Sequence, residues 1–160
     1  MTYINNLVNA QSIMKKNITV AVSGGFDPIH IGHVRYLKEA KKLGDKLVVI
    51  INNDNWLKTK KGQNFMNEND RKEIIEAFEC VDEVVITQHT EQDPDKSVCK
   101  ALAEVMPDIF ANGGDRFADD IPEFIFCNEH NIEMQFNVGH GGKVRSSSEL
   151  LANYKTQKTS

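Results

Sequence analysis

The chain has 160 residues, 40% hydrophobic and 26% charged, and its 19 basic and 23 acidic side chains leave a net charge of −4. That length and composition fit one soluble domain, large enough to bury roughly 70% of its unfolded surface without metal or disulfide support. Four prolines and ten glycines argue against a fibrous or disordered chain. The mild acidity argues against wholesale nucleic-acid binding, so any phosphate site has to be built by concentrating cations locally.

Residues 1–16 contain Leu7, Val8, Ile13 and Met14 but no continuous apolar run, and read as an extension, neither signal peptide nor membrane span. Residues 17–155 read as the single domain and 156–160 as a frayed tail. Cys80, Cys99 and Cys127 are odd in number and include no CxxC, so buried thiols in a reducing compartment are expected, and the cytoplasm is the expected location.

Ile18–Val22 (ITVAV) predicts a buried strand that runs into Ser23-Gly24-Gly25. Ile31, Val34, Leu37 and Ala40 repeat at helical spacing, with Gly44 as a stop. Leu47–Ile51 predicts a second strand, and the polar stretch from Asn52 to Asn69, with Lys58, Lys60 and Lys61, a long functional loop. A helix over 69–79 capped by Asn69, a strand over 81–87, a helix over 95–105, and a strand over 108–111 ending in Asn112-Gly113-Gly114-Asp115 are predicted next. A helix around 120–130, a strand over 132–138, the turn Gly139-His140-Gly141-Gly142 and a serine-capped helix over 146–154 complete the chain. Five alternations of strand and helix predict an α/β, doubly wound, mostly parallel five-stranded sheet with helices on both faces, and ligands beyond the carboxyl ends of its strands.

The chemistry-bearing segment is Ser23-Gly24-Gly25-Phe26-Asp27-Pro28-Ile29-His30-Ile31-Gly32-His33. It is not a GxGxxG fingerprint, and Gly142-Lys143-Val144 lacks the hydroxyl residue that a P-loop places directly after its lysine. His30 and His33 open a helix, where unpaired N–H groups and the positive end of the dipole favour a polyphosphate. Gly32 permits close approach there, and two imidazoles can donate to a phosphoryl group. No third ligand at metal spacing accompanies the histidines, and His89 and His130, without such a context, are expected at the surface.

Gly24-Gly25-Phe26-Asp27-Pro28-Ile29-His30-Ile31-Gly32-His33 resembles the GxFDxxHxGH signature of the cytidylyltransferase-like nucleotidyltransferases, whose fold is Rossmann-like, and the resemblance extends from Thr19 to about Ala152. Met66 to Arg71 (MNENDR) resembles a substrate-binding segment of the phosphocholine enzymes. Val81 to Val85 (VDEVV) resembles a strand of the glycerol-3-phosphate and phosphocholine enzymes, and Gly113-Gly114-Asp115 the GGD of the ADP-heptose synthases. Lys143 to Ser148 (KVRSSS) stands where the family has its final serine/threonine motif. Glu79-Cys80 departs from the RYVDEV of the cytidylyltransferases, and Gly141 to Ser148 keeps the serines but not the flanks of their last motif.

The resemblance implies nucleotidyl transfer from an NTP to a phosphorylated small molecule, with pyrophosphate released and Mg²⁺ bridging phosphate oxygens. It implies His30, His33 and Lys60 as catalytic residues and Arg71 as the acceptor-phosphate anchor. Gly24, Gly25, Phe26, Asp27, Gly32, Lys61, Gly114, Asp115, Arg145, Ser146 and Ser147 are implied as nucleotide-binding, with Asp27 as a candidate Mg²⁺ contact. It also implies a homodimer, without nucleic-acid or membrane partners. MNENDR and VDEVV point to CTP with a polyol phosphate, the preferred reading, whereas Glu79 and GGD point to ATP with heptose 1-phosphate; an FAD-synthetase-like activity is a third option. A non-catalytic nucleotide-binding module is the reading from another class. A tRNA synthetase fragment fits neither the length nor the charge.

Overall fold

The computed structural model describes residues 16–114, 121–139 and 146–159. Five strands, β1 (Thr19–Gly24), β2 (Lys46–Ile51), β3 (Glu83–Ile86), β4 (Ile109–Ala111) and β5 (Glu133–Gln135), form one all-parallel sheet in the order β3-β2-β1-β4-β5. The described helices are α1 (Ile31–Lys41), α2 (Asp54–Lys61), α3 (Glu68–Glu76), α4 (Cys99–Val105), α5 (Ile121–Glu129) and α6 (Ser147–Lys158).

Alternation of side chains across the strands produces two cores. Val20, Val22, Leu47, Val49 and Ile51 meet Leu37 and Ala40 of α1 and Ile75 of α3 on one face. Ala21, Ile50 and Phe110 meet Ala101 and Leu102 of α4 and Cys127 of α5 on the other. The sheet is therefore doubly wound, as its sequence pattern predicts. Strand order reverses between β1 and β4, which opens a crevice beyond their carboxyl ends. Among the described residues, no helix is long and apolar enough to cross a membrane.

Three expectations change. The stretch 52–69 is not one loop, because α2 occupies its first half. Asn53 caps α2 by accepting from Trp56 N at 2.9 Å, and Gly62 (φ 80°) ends it in the left-handed conformation that glycine adopts at little cost. Only Leu57 of this helix is buried, so there was no apolar periodicity to read. The cap of α3 is Asn67 rather than Asn69. Finally, α4 begins at Cys99 rather than near Asp95. Asp93 accepts from Thr90 N and Asp95 N, and Asp95 from Ser97 N, side-chain bonds that hold the backbone in turns.

Candidate active site

The turn after β1 leads directly into α1. Gly25 packs closely there: a Cβ would lie 3.0 Å from Leu57 Cδ2, so a larger residue requires Leu57 to give way. Phe26 adopts φ 51°, a conformation that costs a non-glycine residue of order 1–3 kcal/mol. Its ring is 2% exposed and lies 4.8 Å from the His33 ring.

At the start of α1 the two histidines cap the helix reciprocally. His30 Nδ1 accepts from Gly32 N at 3.1 Å, and His33 Nδ1 accepts from His30 N at 3.2 Å. The rings stack with centroids 3.7 Å apart. Each ring thus uses Nδ1 as an acceptor, which leaves the ring proton on Nε2. Burial first, then the neighbouring His30 and Lys61, push the His33 pKa down to about 3, so its imidazole is neutral at physiological pH. The result is a pair of Nε2–H donors of fixed tautomer. The backbone N–H of Gly32 is itself used by His30, so the donors move from the helix backbone to the imidazole edges. That differs from the sequence expectation of free backbone groups at this end of the helix.

Behind the histidines two buried ionic groups join three segments. Asp27, 4% exposed, accepts from Phe65 N and Met66 N at 2.6 Å, one with each carboxylate oxygen. Arg71, 1% exposed, donates from Nε to Met66 O at 3.0 Å, from Nη1 to Gly25 O at 2.7 Å and Asn52 O at 2.6 Å, and from Nη2 to Asp54 Oδ1 at 2.8 Å. Buried charges require such saturation with partners. Arg71 is therefore a clamp between the ends of β1 and β2 and the segment before α3, and the expectation that it anchors an acceptor phosphate is corrected. The Asp27 side chain is likewise engaged with the segment before α3, and the Phe26 ring packs beside His33. No group of three His, Cys, Asp or Glu side chains suited to a metal occurs among the described residues.

Helix α2 separates the two lysines that the sequence assigned together. Lys60 Nζ lies 5.9 Å from the Trp56 ring centroid, and Trp56 Nε1 donates to Lys96 O at 2.9 Å, so this pair faces the loop after β3. Lys61 stands one turn beyond Leu57, which packs on Gly25, and its charge acts on His33. Of the two, Lys61 is the lysine whose charge acts on His33.

On the far side of the crevice, Tyr36 of α1, which sequence reasoning missed, donates its hydroxyl to Ala111 O at 2.5 Å. Its ring also lies beside Gly113, and its backbone approaches Gly139. A mid-helix tyrosine carries no sequence signal for such a contact. Ser147 Oγ donates to Pro28 O at 2.8 Å, which brings the start of α6 against the histidine turn; Ser146 and Ser147 are both buried. Gly114 O accepts from Asn137 N at 3.1 Å. Asp115, His140, Lys143 and Arg145 lie outside the described residues. His89, expected at the surface, is 9% exposed, with Nδ1 2.8 Å from Thr87 Oγ1 and Nε2 2.9 Å from Ser97 O.

A parallel sheet with a switch-point crevice, and paired imidazole donors beside a lysine at its mouth, define an α/β nucleotide-binding enzyme that acts on phosphoryl groups. The chain belongs to the cytidylyltransferase-like family, whose model matches residues 21–151, and it is a nucleotidyltransferase. It is 40% identical over 106 residues to the FAD synthase of Thermococcus sibiricus, which covers 66% of this chain and 68% of that protein. It is 40% identical over 121 residues to the bifunctional protein HldE of Hydrogenovibrio crunogenus, which covers 74% of this chain but 24% of that longer protein. Among solved structures, a lipopolysaccharide core biosynthesis protein from Thermoplasma volcanium superimposes with a TM-score of 0.62 at 30% identity, covering 76% of this chain and 94% of that one.

Proposed function

We propose that the enzyme transfers an adenylyl group from ATP to a phosphorylated acceptor, with His30, His33 and Lys61 as the groups that touch the reacting phosphates. The observation that carries the donor reading is the location of the two cytidine-like segments. The acids of VDEVV lie at the amino ends of the strands, opposite the site. There Asp82 pairs with Lys41 at 2.5 Å and accepts from Leu47 N, and Glu83 pairs with Lys46 at 2.6 Å. In MNENDR, Arg71 is the buried clamp. Both resemblances therefore reflect architecture rather than base recognition; Glu79 precedes β3 at that same end, which leaves the GGD turn as the segment that bears on the base. The FAD synthase relative supports this reading, since FAD contains an AMP moiety.

In the reaction, an acceptor phosphate oxygen forms a bond to the α-phosphorus as the bond from that phosphorus to the β-bridging oxygen breaks, and pyrophosphate departs. The Nε2–H donors of His30 and His33 hold phosphate oxygens as charge redistributes, and Lys61 adds positive charge beside them. Catalysis by such preorganised donors requires no covalent intermediate. Gly114, Asp115, Arg145, Ser146 and Ser147 are assigned to the nucleotide from the family resemblance. The nucleotide is taken as its magnesium complex, the ion travelling with the triphosphate.

Pyrophosphate release from ATP and CTP, each with FMN, heptose 1-phosphate and glycerol 3-phosphate, tests this reading. Release with ATP is expected. Release with CTP alone overturns the donor assignment, and nucleotide binding without release on any acceptor favours the non-catalytic module.

A further inference from the structure

Helix α2 is only eight residues long and buries one of them, Leu57, so neither its own propensity nor its packing fixes where Lys61 stands. Its position is set by what grips its amino end. On one side Arg71 holds Asp54. On the other side the loop that follows β3 supplies four bonds. Asn53 N donates to Thr87 Oγ1 at 3.0 Å, Asn53 Nδ2 and Asn55 Nδ2 both donate to His89 O at 2.8 and 2.9 Å, and Trp56 Nε1 donates to Lys96 O at 2.9 Å.

His89 holds that loop in shape. Its ring bridges Thr87 Oγ1 and Ser97 O, which spans eight residues of chain to its own carboxyl side, and its carbonyl is the acceptor shared by Asn53 and Asn55. Thr87, which its ring bonds, is also the acceptor for Asn53 N. One side of the loop bounds a cavity of about 210 Å³ lined in part by His89, Ser97, Val98 and Ala101. The histidine bridge, together with the Asp93 and Asp95 turns, shapes the loop there.

We propose that His89 is a positioning residue for Lys61, acting through the Thr87, Asn53 and Trp56 bonds that orient α2; the inference rests on the nucleotidyl-transfer reading of the site. The lever is long enough to matter. Eight residues of helix span about 12 Å, so a 10° tilt at the anchored end displaces Lys61 by about 2 Å. A misplacement of about 1 Å can lower turnover on the order of a hundredfold.

The test is a double-mutant cycle on pyrophosphate release with fluorescence as a second readout. His89→Leu is expected to lower kcat at least tenfold while KM for the nucleotide changes less than threefold. In a Lys61→Ala background the same substitution should lower kcat less than twofold further, because the group it positions is gone. Trp56 is the single tryptophan and sits on α2, so its emission should shift to the red in His89→Leu without any substrate present. Trp56→Phe, which removes the bond to Lys96 O while keeping an aromatic ring at that position, should reproduce a smaller loss of kcat and serves if His89→Leu does not fold. Unchanged kcat and unchanged Trp56 emission in a folded His89→Leu overturn the proposal, as does a full additional loss in the Lys61→Ala background. Wild-type protein that releases no pyrophosphate overturns the functional reading instead, and the emission shift then still decides whether His89 sets α2.

Discussion

His33 both caps a helix and offers a donor, and one pair of substitutions separates the two roles. In His33→Asn the Oδ1 atom replaces Nδ1 as the acceptor of the His30 backbone N–H, now at 3.2 Å, while nothing replaces the Nε2–H. In His33→Ala both are lost. A cap interaction contributes about 0.5–2 kcal/mol to stability, whereas a preorganised donor aimed at developing charge contributes about 2.7–4 kcal/mol to the barrier, or 10²–10³ in turnover. His33→Asn should therefore lose at least a hundredfold in kcat with little change in denaturation midpoint, and His33→Ala should lose the same activity together with about 1 kcal/mol of stability. Steady-state pyrophosphate release and urea unfolding on the same preparations provide both numbers. A His33→Asn enzyme within threefold of wild-type turnover refutes the donor role. Equal loss of stability in the two variants refutes the reciprocal cap.

The two lysines should behave differently in the same assay: Lys61→Met is expected to lower kcat at least tenfold and Lys60→Met less than threefold, and the reverse order would restore Lys60 as the site cation. Arg71→Met leaves Asp54 and three carbonyls without their buried donor, and about 3–5 kcal/mol of destabilisation is expected by chemical denaturation; a loss confined to KM for the acceptor would indicate a ligand contact instead. The depressed pKa of His33 predicts that its Cε1–H resonance stays constant from pH 8 to 5, and a midpoint near 6 would contradict this. Because the unfolded imidazole takes its proton near pH 6.5 and the folded one only near 3, the unfolded state binds more protons between those values. Stability should accordingly fall as pH is lowered through that window, with a limiting slope from this residue of about 1.4 kcal/mol per pH unit.

The fold class was legible because buried parallel strands are written as continuous apolar runs, and ITVAV and LVVII are such runs. The histidine pair was equally legible, since its spacing and its place between a strand and an amphipathic helix are local properties of the chain. Helix α2 was not legible. Its stability comes from Asn53, Gly62 and contacts to residues 34 to 40 positions further on, none of which leaves a periodic pattern. The same limit explains Arg71 and His89. An arginine in a polar segment and a histidine after a strand look alike in sequence whether they face solvent or saturate buried carbonyls, because only their partners distinguish the two.

The sequence by itself determined the α/β fold class and named the residue types that a phosphate site at one rim of the sheet would require. Tertiary structure decided which of those charges are available to a ligand. It directed Asp27 and Arg71 inward as clamps, turned Lys60 onto Trp56 and Lys61 toward His33, and fixed both imidazoles as Nε2 donors. A charge in the interior is tolerated only when other segments saturate it, and those segments meet only when the chain is folded.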